Sequence, residues 1–298
     1  MSLSVRDGLK QIPGALPAWK FVRLSILGRV WPAPQAAERR IMKSLRIFAP
    51  NSAGDVAALA QLTIASANET IPWLARLAAN RPGFLHAEPL TAGSLADEAV
   101  SADAAEALRR CFVSQRSDKS TVHDYHLLYG PLLHRRGDMR KVLEIGIGTN
   151  NEDVVSNMSR AGTPGASLRA FRDFLPQARI YGADIDSRVL FAEERIETFA
   201  VDQTDAASLE RLGKEIGADF DLILDDGLHA PHANLAVLLF AMPRVRPGGA
   251  VVIEDIPRVA APLWQTVGAL MPEAFECRLF DTRSALVFLA RRRPNLAA

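Results

Sequence analysis

Two pairs of adjacent acidic residues follow two apolar segments that we interpret as buried strands. Asp225 and Asp226 form the first pair, and Glu254 and Asp255 form the second. The carboxyl ends of neighbouring parallel strands meet at one edge of a sheet, where four carboxylates repel one another strongly at low dielectric. A divalent cation removes that repulsion, and oxygen ligands suit Mg²⁺, Mn²⁺ or Ca²⁺. The spacing therefore predicts a cation site, although one or two of these acids could instead cap the helices that follow.

A histidine lies close to the first acidic pair. His229 is three residues beyond Asp226, in the loop that precedes a predicted helix. A loop histidine is usually a solvated surface residue, but one beside a cation site suits proton transfer, because histidine titrates near neutral pH. We therefore predict an acid–base role for His229. His232 is the nearby alternative and is more simply interpreted as a residue of the first helical turn.

Glycine and acidic residues at the ends of three earlier predicted strands indicate a ligand site. Gly146 and Gly148 follow the first strand, where glycines let the backbone pass close to a ligand. Asp184 ends the second strand, a position from which an acid commonly binds ribose hydroxyls. Asp202 and Gln203 end the third strand and suit the edge of an adenine ring. Each acid alone could be a helix cap, but the three positions together predict an adenosine site.

The fingerprint of dinucleotide-binding proteins is incomplete in this sequence. It requires a third glycine at position 151, where the chain has Asn151. The segment Thr149–Ala166 is also too polar and too rich in glycine and proline for a helix to begin there. An NAD-linked oxidoreductase is therefore the less favoured alternative. Because irregular connections of this length are uncommon and often functional, we expect Thr149–Ala166 to act as a lid.

The spacing of apolar residues predicts the elements that position these side chains. Residues 1–117 have a mainly helical pattern, whereas residues 118–298 alternate short Val/Ile/Leu runs with helix-length segments, as in a parallel sheet covered by helices. We expect an α/β protein with a Rossmann-like, seven-stranded, mostly parallel sheet and an antiparallel last strand, preceded by a helical N-terminal region for substrate binding or oligomerisation. The predicted strands are Lys141–Ile145, Arg179–Asp184, Ile196–Val201, Phe220–Asp225, Ala250–Glu254, Glu276–Phe280 and Leu286–Ala290. The predicted helices are Gln35–Ile47, Ala53–Ala65, Pro72–Asn80, Ala102–Phe112, Ser167–Phe174, Ala206–Ile216, His232–Val245 and Pro262–Leu270.

Composition and charge exclude several classes of protein. The chain has 298 residues, of which 48% are hydrophobic and 23% charged, so it is neither disordered nor of low complexity. A net charge of +1 excludes a globally basic nucleic-acid coat, although residues 1–50 alone carry nine basic and two acidic residues. Cys111 and Cys277 have neither disulfide-framework nor metal-site spacing, and no run approaches the roughly 20 apolar residues of a membrane span. We expect a cytoplasmic protein without a membrane span.

Residues 117–256 resemble the class I S-adenosylmethionine-dependent methyltransferases. More narrowly, they resemble the metal-dependent sugar O-methyltransferases of macrolide tailoring, of the mycinamicin and demethylmacrocin type. The stretches that carry the resemblance are Ser117–Ser120 with Tyr125 and Tyr129, Leu143–Gly148, Gly165–Arg169 with Phe174, Tyr181–Asp184, Asp202–Gln203, Asp225–His229 and Val252–Asp255. The first 110 residues match no family that we can name, so the resemblance says little about the acceptor.

The resemblance implies a function and assigns residues to it. It implies transfer of a methyl group from S-adenosylmethionine to a sugar hydroxyl of a small-molecule acceptor, with Mg²⁺ or Mn²⁺ as the metal and no nucleic-acid partner. Asp226, Glu254 and Asp255 would be the metal ligands and His229 the general base. The residues assigned to the cofactor are Glu144, Gly146, Gly148, Ser167, Asp184, Asp202, Gln203, Asp225 and Lys119. Catechol-type methylation of an aromatic diol and a catalytically silent module remain alternatives, and the chain could form a homo-oligomer.

Overall fold

The computed structural model describes residues 35–91, 93–95, 98–158 and 162–294. The chain divides into two compact units, Met1–Leu74 and Ala75–Ala298. Most of the basic N-terminal segment lies outside the described residues. Residues 75–117, which we expected to belong to the N-terminal region, fall within the second unit. The roles in substrate binding or oligomerisation suggested for the N-terminal region stay predictions.

Two helices occupy the beginning of the described chain. α1 spans Ala36–Ser44 and α2 spans Val56–Ala78. The prediction of two separate helices, Ala53–Ala65 and Pro72–Asn80, is wrong, because Pro72 lies inside the continuous helix α2. A proline within a helix removes one main-chain hydrogen bond and costs about 3 kcal/mol. The alanine- and leucine-rich turns on either side, which have high helix propensity, keep the helix continuous.

The second unit is built on a sheet that contains nine strands within the described ranges. We predicted seven strands; the two additional ones have three and two residues, too few to show any hydrophobic periodicity. The strands are β1 (Ala87–Pro89), β2 (Lys141–Ile145), β3 (Arg179–Asp184), β4 (Ala192–Glu193), β5 (Ile196–Ala200), β6 (Phe220–Asp225), β7 (Val245–Ile256), β8 (Phe275–Asp281) and β9 (Leu286–Arg292).

The order of the strands confirms the predicted topology. Across the sheet they run β1-β8-β9-β7-β6-β2-β3-β5-β4. The central pairs β7–β6, β6–β2, β2–β3 and β3–β5 are parallel. The last strand, β9, is antiparallel to both of its neighbours, β7 and β8. The chain thus has the expected α/β class, with a mostly parallel sheet and an antiparallel last strand.

Helices cover both faces of this sheet. They are α3 (Glu98–Ser114), α4 (Asp118–Thr121), α5 (His126–Leu132), α6 (Ala166–Phe174), α7 (Ala206–Ile216), α8 (Pro231–Ala241) and α9 (Ala261–Leu270). One core cluster packs α7, α8 and α9 against one face, and a second packs α3, α5 and α6 against the other. Each face buries its own apolar residues, which explains why the central strands are apolar almost throughout.

Two further observations bear on the sequence-based expectations. No helix among residues 35–91, 93–95, 98–158 and 162–294 is long and apolar enough to cross a membrane. Cys111 and Cys277 are both free thiols.

The carboxyl ends of the five central strands meet at one edge of the sheet. In spatial order, the residues at or just beyond these ends are Glu254 and Asp255 in β7, Asp225 and Asp226 at β6, Glu144 to Gly148 at β2, Asp184 at β3, and Asp202 after β5. The acids and glycines selected at strand ends therefore lie at the same edge, which is where open α/β sheets bind small molecules.

Candidate active site

A cavity of about 1080 Å³ opens at the carboxyl edge of the sheet. Its wall includes residues from the loops after β2, β3, β5 and β6, from the end of β7 and from α4. The predicted site residues that line it are Lys119, Glu144, Gly146, Gly148, Ser167, Asp184, Asp202, Gln203, Asp226, His229, Glu254 and Asp255. Asp225 and His232 are not among the lining residues. The structure thus brings most of the predicted site residues together around one space.

The turn after β2 requires glycine for both conformation and space. Gly146 has a φ of 88° and Gly148 a φ of 83°, in the left-handed region that other residues rarely adopt. A Cβ atom on Gly146 would lie 2.2 Å from the carbonyl oxygen of Asp226. The first glycine therefore allows the β2 turn to pack directly against the loop after β6, and this contact brings the two halves of the cavity together.

The acids after β3 support this glycine turn. Asp184 Oδ2 accepts a hydrogen bond from the backbone N–H of Ile147 at 3.0 Å, and its Oδ1 accepts one from the N–H of Asp186 at 2.9 Å. Asp186 in turn accepts hydrogen bonds from the side chains of Thr149 and Asn151 at 2.6 and 2.7 Å. The backbone N–H of Gly148 also acts on the Asp184 carboxyl, and the contact of Asp184 with ribose stays a prediction. Asn151, which breaks the dinucleotide fingerprint, is therefore a structural residue of the loop.

Gln203 and Asp225 connect the loop after β5 with the loop after β6. Gln203 Nε2 donates to Asp225 Oδ1 at 3.1 Å, and Gln203 Oε1 accepts from the N–H of Leu228 at 2.8 Å. Asp225 is fully buried, and burial raises the pKa of its carboxyl. Asp225 does not line the cavity, and its hydrogen bond with Gln203 joins two loops. The cofactor role that the resemblance implied for it stays a prediction. Asp202 is partly exposed, and its Oδ1 accepts from the N–H and hydroxyl of Thr204.

Lys119 lies at the centre of the acid cluster. Its buried Nζ donates to Asp226 Oδ2 at 2.7 Å and to Glu254 Oε2, and it lies 3.4 Å from Glu144 Oε1. Burial alone would lower the pKa of this ammonium, but the three carboxylates raise it well above its usual range. Glu144 also accepts a hydrogen bond from the hydroxyl of Ser167 at 2.6 Å. Burial raises the pKa of Glu144 to about 7, against the opposing effect of Lys119.

Two tyrosines hold the acids at the end of β7. Tyr129 donates its hydroxyl to Glu254 Oε1 at 2.6 Å, and Tyr125 donates to Asp255 Oδ1 at 2.5 Å. Glu254 is fully buried, and each of its oxygens accepts a hydrogen bond within the protein, one from Tyr129 and one from Lys119. Asp255 has a φ of 52°, an uncommon conformation for a residue other than glycine, and it turns the chain at the cavity wall.

Three side chains have atoms positioned to share a metal ion. One ligand atom from each of Asp226, His229 and Asp255 lies within 4.8 Å of the other two. His229 Nε2 is 3.9 Å from Asp226 Oδ1 and 3.9 Å from Asp255 Oδ2. These two carboxylate oxygens are distinct from the oxygens that Lys119 and Tyr125 contact. This group contains His229 in place of Glu254, the third ligand that the resemblance implied. Its two carboxylate oxygens suit Mg²⁺ or Mn²⁺, so these donors fit the predicted metal.

His123 is a site residue that the sequence did not reveal. Its Nδ1 lies 2.6 Å from the hydroxyl of Ser284 and 3.3 Å from Asp255 Oδ1, and its ring stacks on Tyr125. Burial would lower the pKa of His123, but the nearby carboxylates of Asp118 and Asp255 raise it to about 10. The only sequence signal was its position between Ser117–Ser120 and Tyr125, two stretches that carry the family resemblance. His232, by contrast, is exposed in the first turn of α8, as its simpler interpretation predicted.

Comparison with known sequences finds relatives among sugar O-methyltransferases. No protein-family model matches the chain. It is 38% identical to the mycinamicin VI 2''-O-methyltransferase of Micromonospora griseorubida over 122 residues, 41% of this chain and 28% of that protein. It is 31% identical to the 8-demethyl-8-alpha-L-rhamnosyl tetracenomycin-C 2'-O-methyltransferase of Streptomyces olivaceus over 176 residues, 59% of this chain and 42% of that protein. The chain thus spans less than half the length of these curated relatives.

Comparison with solved structures gives a consistent result. The MycE methyltransferase from the mycinamycin biosynthetic pathway, in complex with Mg, SAH and mycinamycin VI, superposes with a TM-score of 0.50 and 25% sequence identity. The match covers 62% of this chain and 53% of that one. The chain has the fold of a class I S-adenosylmethionine-dependent methyltransferase and is a relative of the macrolide and tetracenomycin sugar O-methyltransferases.

Proposed function

We propose that the protein transfers the methyl group of S-adenosylmethionine to a hydroxyl oxygen on the sugar of a small glycosylated molecule, with the help of a divalent metal ion. The observation that carries this proposal is the position of Asp226, His229 and Asp255. Their ligand atoms lie within 4.8 Å of one another, and all three residues line the cavity that the glycine turn of β2 also lines. One space is thus surrounded by a proton acceptor, by oxygens that can bind a metal ion and by a glycine turn that can hold the cofactor. Metal-dependent O-methylation requires these three features.

The cofactor would lie along the ends of β2, β3 and β5. Gly146 and Gly148 leave the backbone open to its methionine part, and Asp184 would accept hydrogen bonds from the ribose hydroxyls. Asp202 and Gln203 would border the adenine ring. Because the sulfonium loses its positive charge during the transfer, a closed site from which water is excluded favours the reaction.

The metal ion would bind where the free carboxylate oxygens converge. Asp226 and Asp255 offer oxygens toward His229, and Glu254 would be the third acid of the set. A divalent ion at this position lowers the pKa of a bound acceptor hydroxyl. Tyr125 and His123 hold the other oxygen of Asp255, so that its Oδ2 keeps a fixed direction.

His229 would accept the proton of the acceptor hydroxyl. Its Nδ1 is buried and has no hydrogen-bond partner within the described residues, and its Nε2 faces the two acids. A positioned base of this kind contributes roughly 10²–10⁴ to a rate. Most of the remaining acceleration would come from holding the acceptor oxygen in line with the methyl group and the sulfur.

The relatives support a sugar as the acceptor. The names of two of them specify the 2''-position of mycinamicin VI and the 2'-position of a rhamnosyl tetracenomycin-C. We propose the same class of acceptor, a glycosylated small molecule rather than a nucleic acid. The two free thiols also fit a cytoplasmic protein.

Methyl transfer from labelled S-adenosylmethionine tests the proposal directly. We expect product with macrolide or polyketide glycosides in Mg²⁺ or Mn²⁺, no product in excess chelator, and full recovery when the ion is restored. His232→Ala is the matched control, because His232 is exposed and lies outside the cavity. Turnover of catechols but not of glycosides would mean that the acceptor is an aromatic diol and not a sugar. Binding of NAD in preference to S-adenosylhomocysteine would contradict the proposed reaction.

A further inference from the structure

Lys119 brings a positive charge into the acid cluster, and the proposed reaction does not use that charge. The residue lies in the first turn of α4, and its side chain is only 3% exposed. The three carboxylates around Nζ belong to Glu144, Asp226 and Glu254, which stand at the ends of three adjacent strands. A single ammonium group therefore connects β2, β6 and β7 at the edge where the site is formed.

The number of partners matches the chemistry of an ammonium group. Nζ has three N–H bonds and faces three acids, so this buried charge is balanced entirely by neighbours. Two of those acids, Asp226 and Glu254, are also assigned to the metal ion in the proposed function. The other oxygen of Glu254 accepts a hydrogen bond from the hydroxyl of Tyr129, so both oxygens of Glu254 already have a donor. The lysine and the metal ion therefore need the same carboxylates.

We propose that Lys119 is a built-in counterion of the acid cluster, which competes with the divalent ion for Asp226 and Glu254 and so sets how tightly that ion binds. The inference rests on the proposed function, because the ion belongs to it. Each oxygen that accepts a hydrogen bond from Nζ has one lone pair fewer for the ion, and the two positive charges repel each other at short distance. The same ammonium group partly neutralises the acids when no ion is bound, so the fold does not depend on the ion.

Three variants and two measurements test this role. Lys119→Met removes the charge and keeps the length of the side chain, whereas Lys119→Arg keeps the charge. Lys141→Met is the matched control, because Lys141 begins β2 at the opposite edge of the sheet and donates to the carbonyl oxygens of Ile216 and Ala218. Electron paramagnetic resonance measures Mn²⁺ binding, and thermal unfolding in chelator and in Mn²⁺ measures how far stability depends on the ion.

We expect Lys119→Met to bind Mn²⁺ about tenfold or more tightly than the wild type, since removing the ammonium removes a like charge near the ion. Its Tm in chelator should fall, and its gain in Tm on adding Mn²⁺ should exceed that of the wild type. Lys119→Arg should restore wild-type affinity, and Lys141→Met should bind the ion as the wild type does. If Lys119→Met is unfolded in chelator, refolding on addition of Mn²⁺ supports the proposal, and failure to refold overturns it.

The remaining outcomes separate this role from the proposed function. Measurable Mn²⁺ binding that is equal or weaker in Lys119→Met overturns the counterion role and leaves the metal-dependent reaction standing. Mn²⁺ binding by Lys119→Met but not by the wild type supports the counterion role and contradicts a metal-dependent reaction. Absence of binding in both proteins overturns both.

Discussion

Asn234 Nδ2 donates a hydrogen bond of 2.9 Å to Oδ2 of Asp225, and this contact joins the first turn of α8 to the end of β6. The other oxygen of Asp225 accepts from Gln203 Nε2 and from the N–H of Gly227. The buried carboxylate thus fixes both ends of the loop that carries His229, because the loop begins after Asp225 and ends in α8.

Removing the amide of Asn234 should therefore destabilise the protein. Asn234→Ala leaves a fully buried oxygen of Asp225 without its donor, which should lower the free energy of unfolding by about 1–3 kcal/mol. Chemical denaturation measures the change. His232→Ala, an exposed position in the same helix, should change stability by much less. Equal effects of the two variants would mean that the Asn234 hydrogen bond does not stabilise the loop.

Asp184 should contribute to cofactor affinity. Asp184→Ala removes the proposed contact with ribose and the acceptor for the N–H of Ile147, so we expect binding of S-adenosylhomocysteine to weaken by about 1.5–3 kcal/mol, the range of hydrogen bonds to a charged group. Asp184→Asn should lose less, since its amide oxygen still accepts. Calorimetry measures both, with circular dichroism as a check on folding. If Asp184→Ala binds S-adenosylhomocysteine with unchanged affinity and Asp186→Ala binds it more weakly, the ribose contact belongs to Asp186.

His229 should be required for turnover but not for cofactor binding. His229→Ala should lower kcat by about 10²–10⁴, the usual contribution of a general base, while the affinity for S-adenosylhomocysteine stays close to that of the wild type. Single-turnover methyl transfer at saturating acceptor measures the chemical step. His232→Ala serves as the control and should retain wild-type kcat. Near-wild-type turnover in His229→Ala would assign the proton transfer to another group.

The loop after β2 should become more protected when the cofactor binds. The part of this loop from Asp153 to Met158 lines the cavity. The hydroxyl of Ser156 donates to the carbonyl oxygen of Gly227, which connects this loop with the loop after β6. We expect hydrogen exchange in residues 149–158 to slow when S-adenosylhomocysteine is added, as for a lid that closes over a ligand. Exchange in α7, which is remote from the cavity, should not change. Equal protection with and without ligand would show that the loop is a fixed wall.

The ion pair between Glu88 and Arg278 predicts a small pH dependence of stability. Arg278 Nε donates to Glu88 Oε1 at 2.7 Å between β1 and β8, and this hydrogen bond lowers the pKa of Glu88 from 4.5. A lowered pKa in the folded state means that the stabilisation is present above pH 4.5 and is lost as the pH falls through the folded value. Because the Glu88 side chain is 43% exposed, solvent screening limits the contribution to about 0.2–1 kcal/mol.

Glu88→Gln should therefore lower the free energy of unfolding slightly at pH 7, and its difference from the wild type should vanish in acid. Denaturation curves at several pH values measure this difference. Glu276→Gln, an exposed position on β8, is the control and should show no such trend. A difference that grows as the pH falls would have the wrong sign for this ion pair.

The central strands were predictable because burial on both faces leaves a clear sequence signal. β2, β3 and β6 begin and end at the predicted residues, since each is an apolar run bounded by polar residues. β1 could not be predicted, because Ala87–Pro89 has no periodicity and becomes a strand by pairing with β8 about 190 residues along the chain. Local pattern carries no information about partners at that distance.

The same limit applies to the site. The acids and glycines at strand ends were visible because topology alone brings them to one edge. The contacts of Lys119 could not be predicted, because they join it to Asp226 and Glu254, which lie 107 and 135 positions further along the chain. For the same reason the sequence could not show that Asp225, which we grouped with the cofactor residues, has hydrogen bonds that anchor a loop.

The strands follow one another along the chain from β1 to β9, but they do not lie in that order across the sheet. β7, which carries Glu254 and Asp255 at its end, pairs with β6 on one side and with β9 on the other. While the ribosome has not yet released Leu286–Arg292, one edge of β7 has no partner and the acids at its end are held from one side only. The acids that the proposed function assigns to the metal ion are therefore held from both sides only after β9 has joined the sheet.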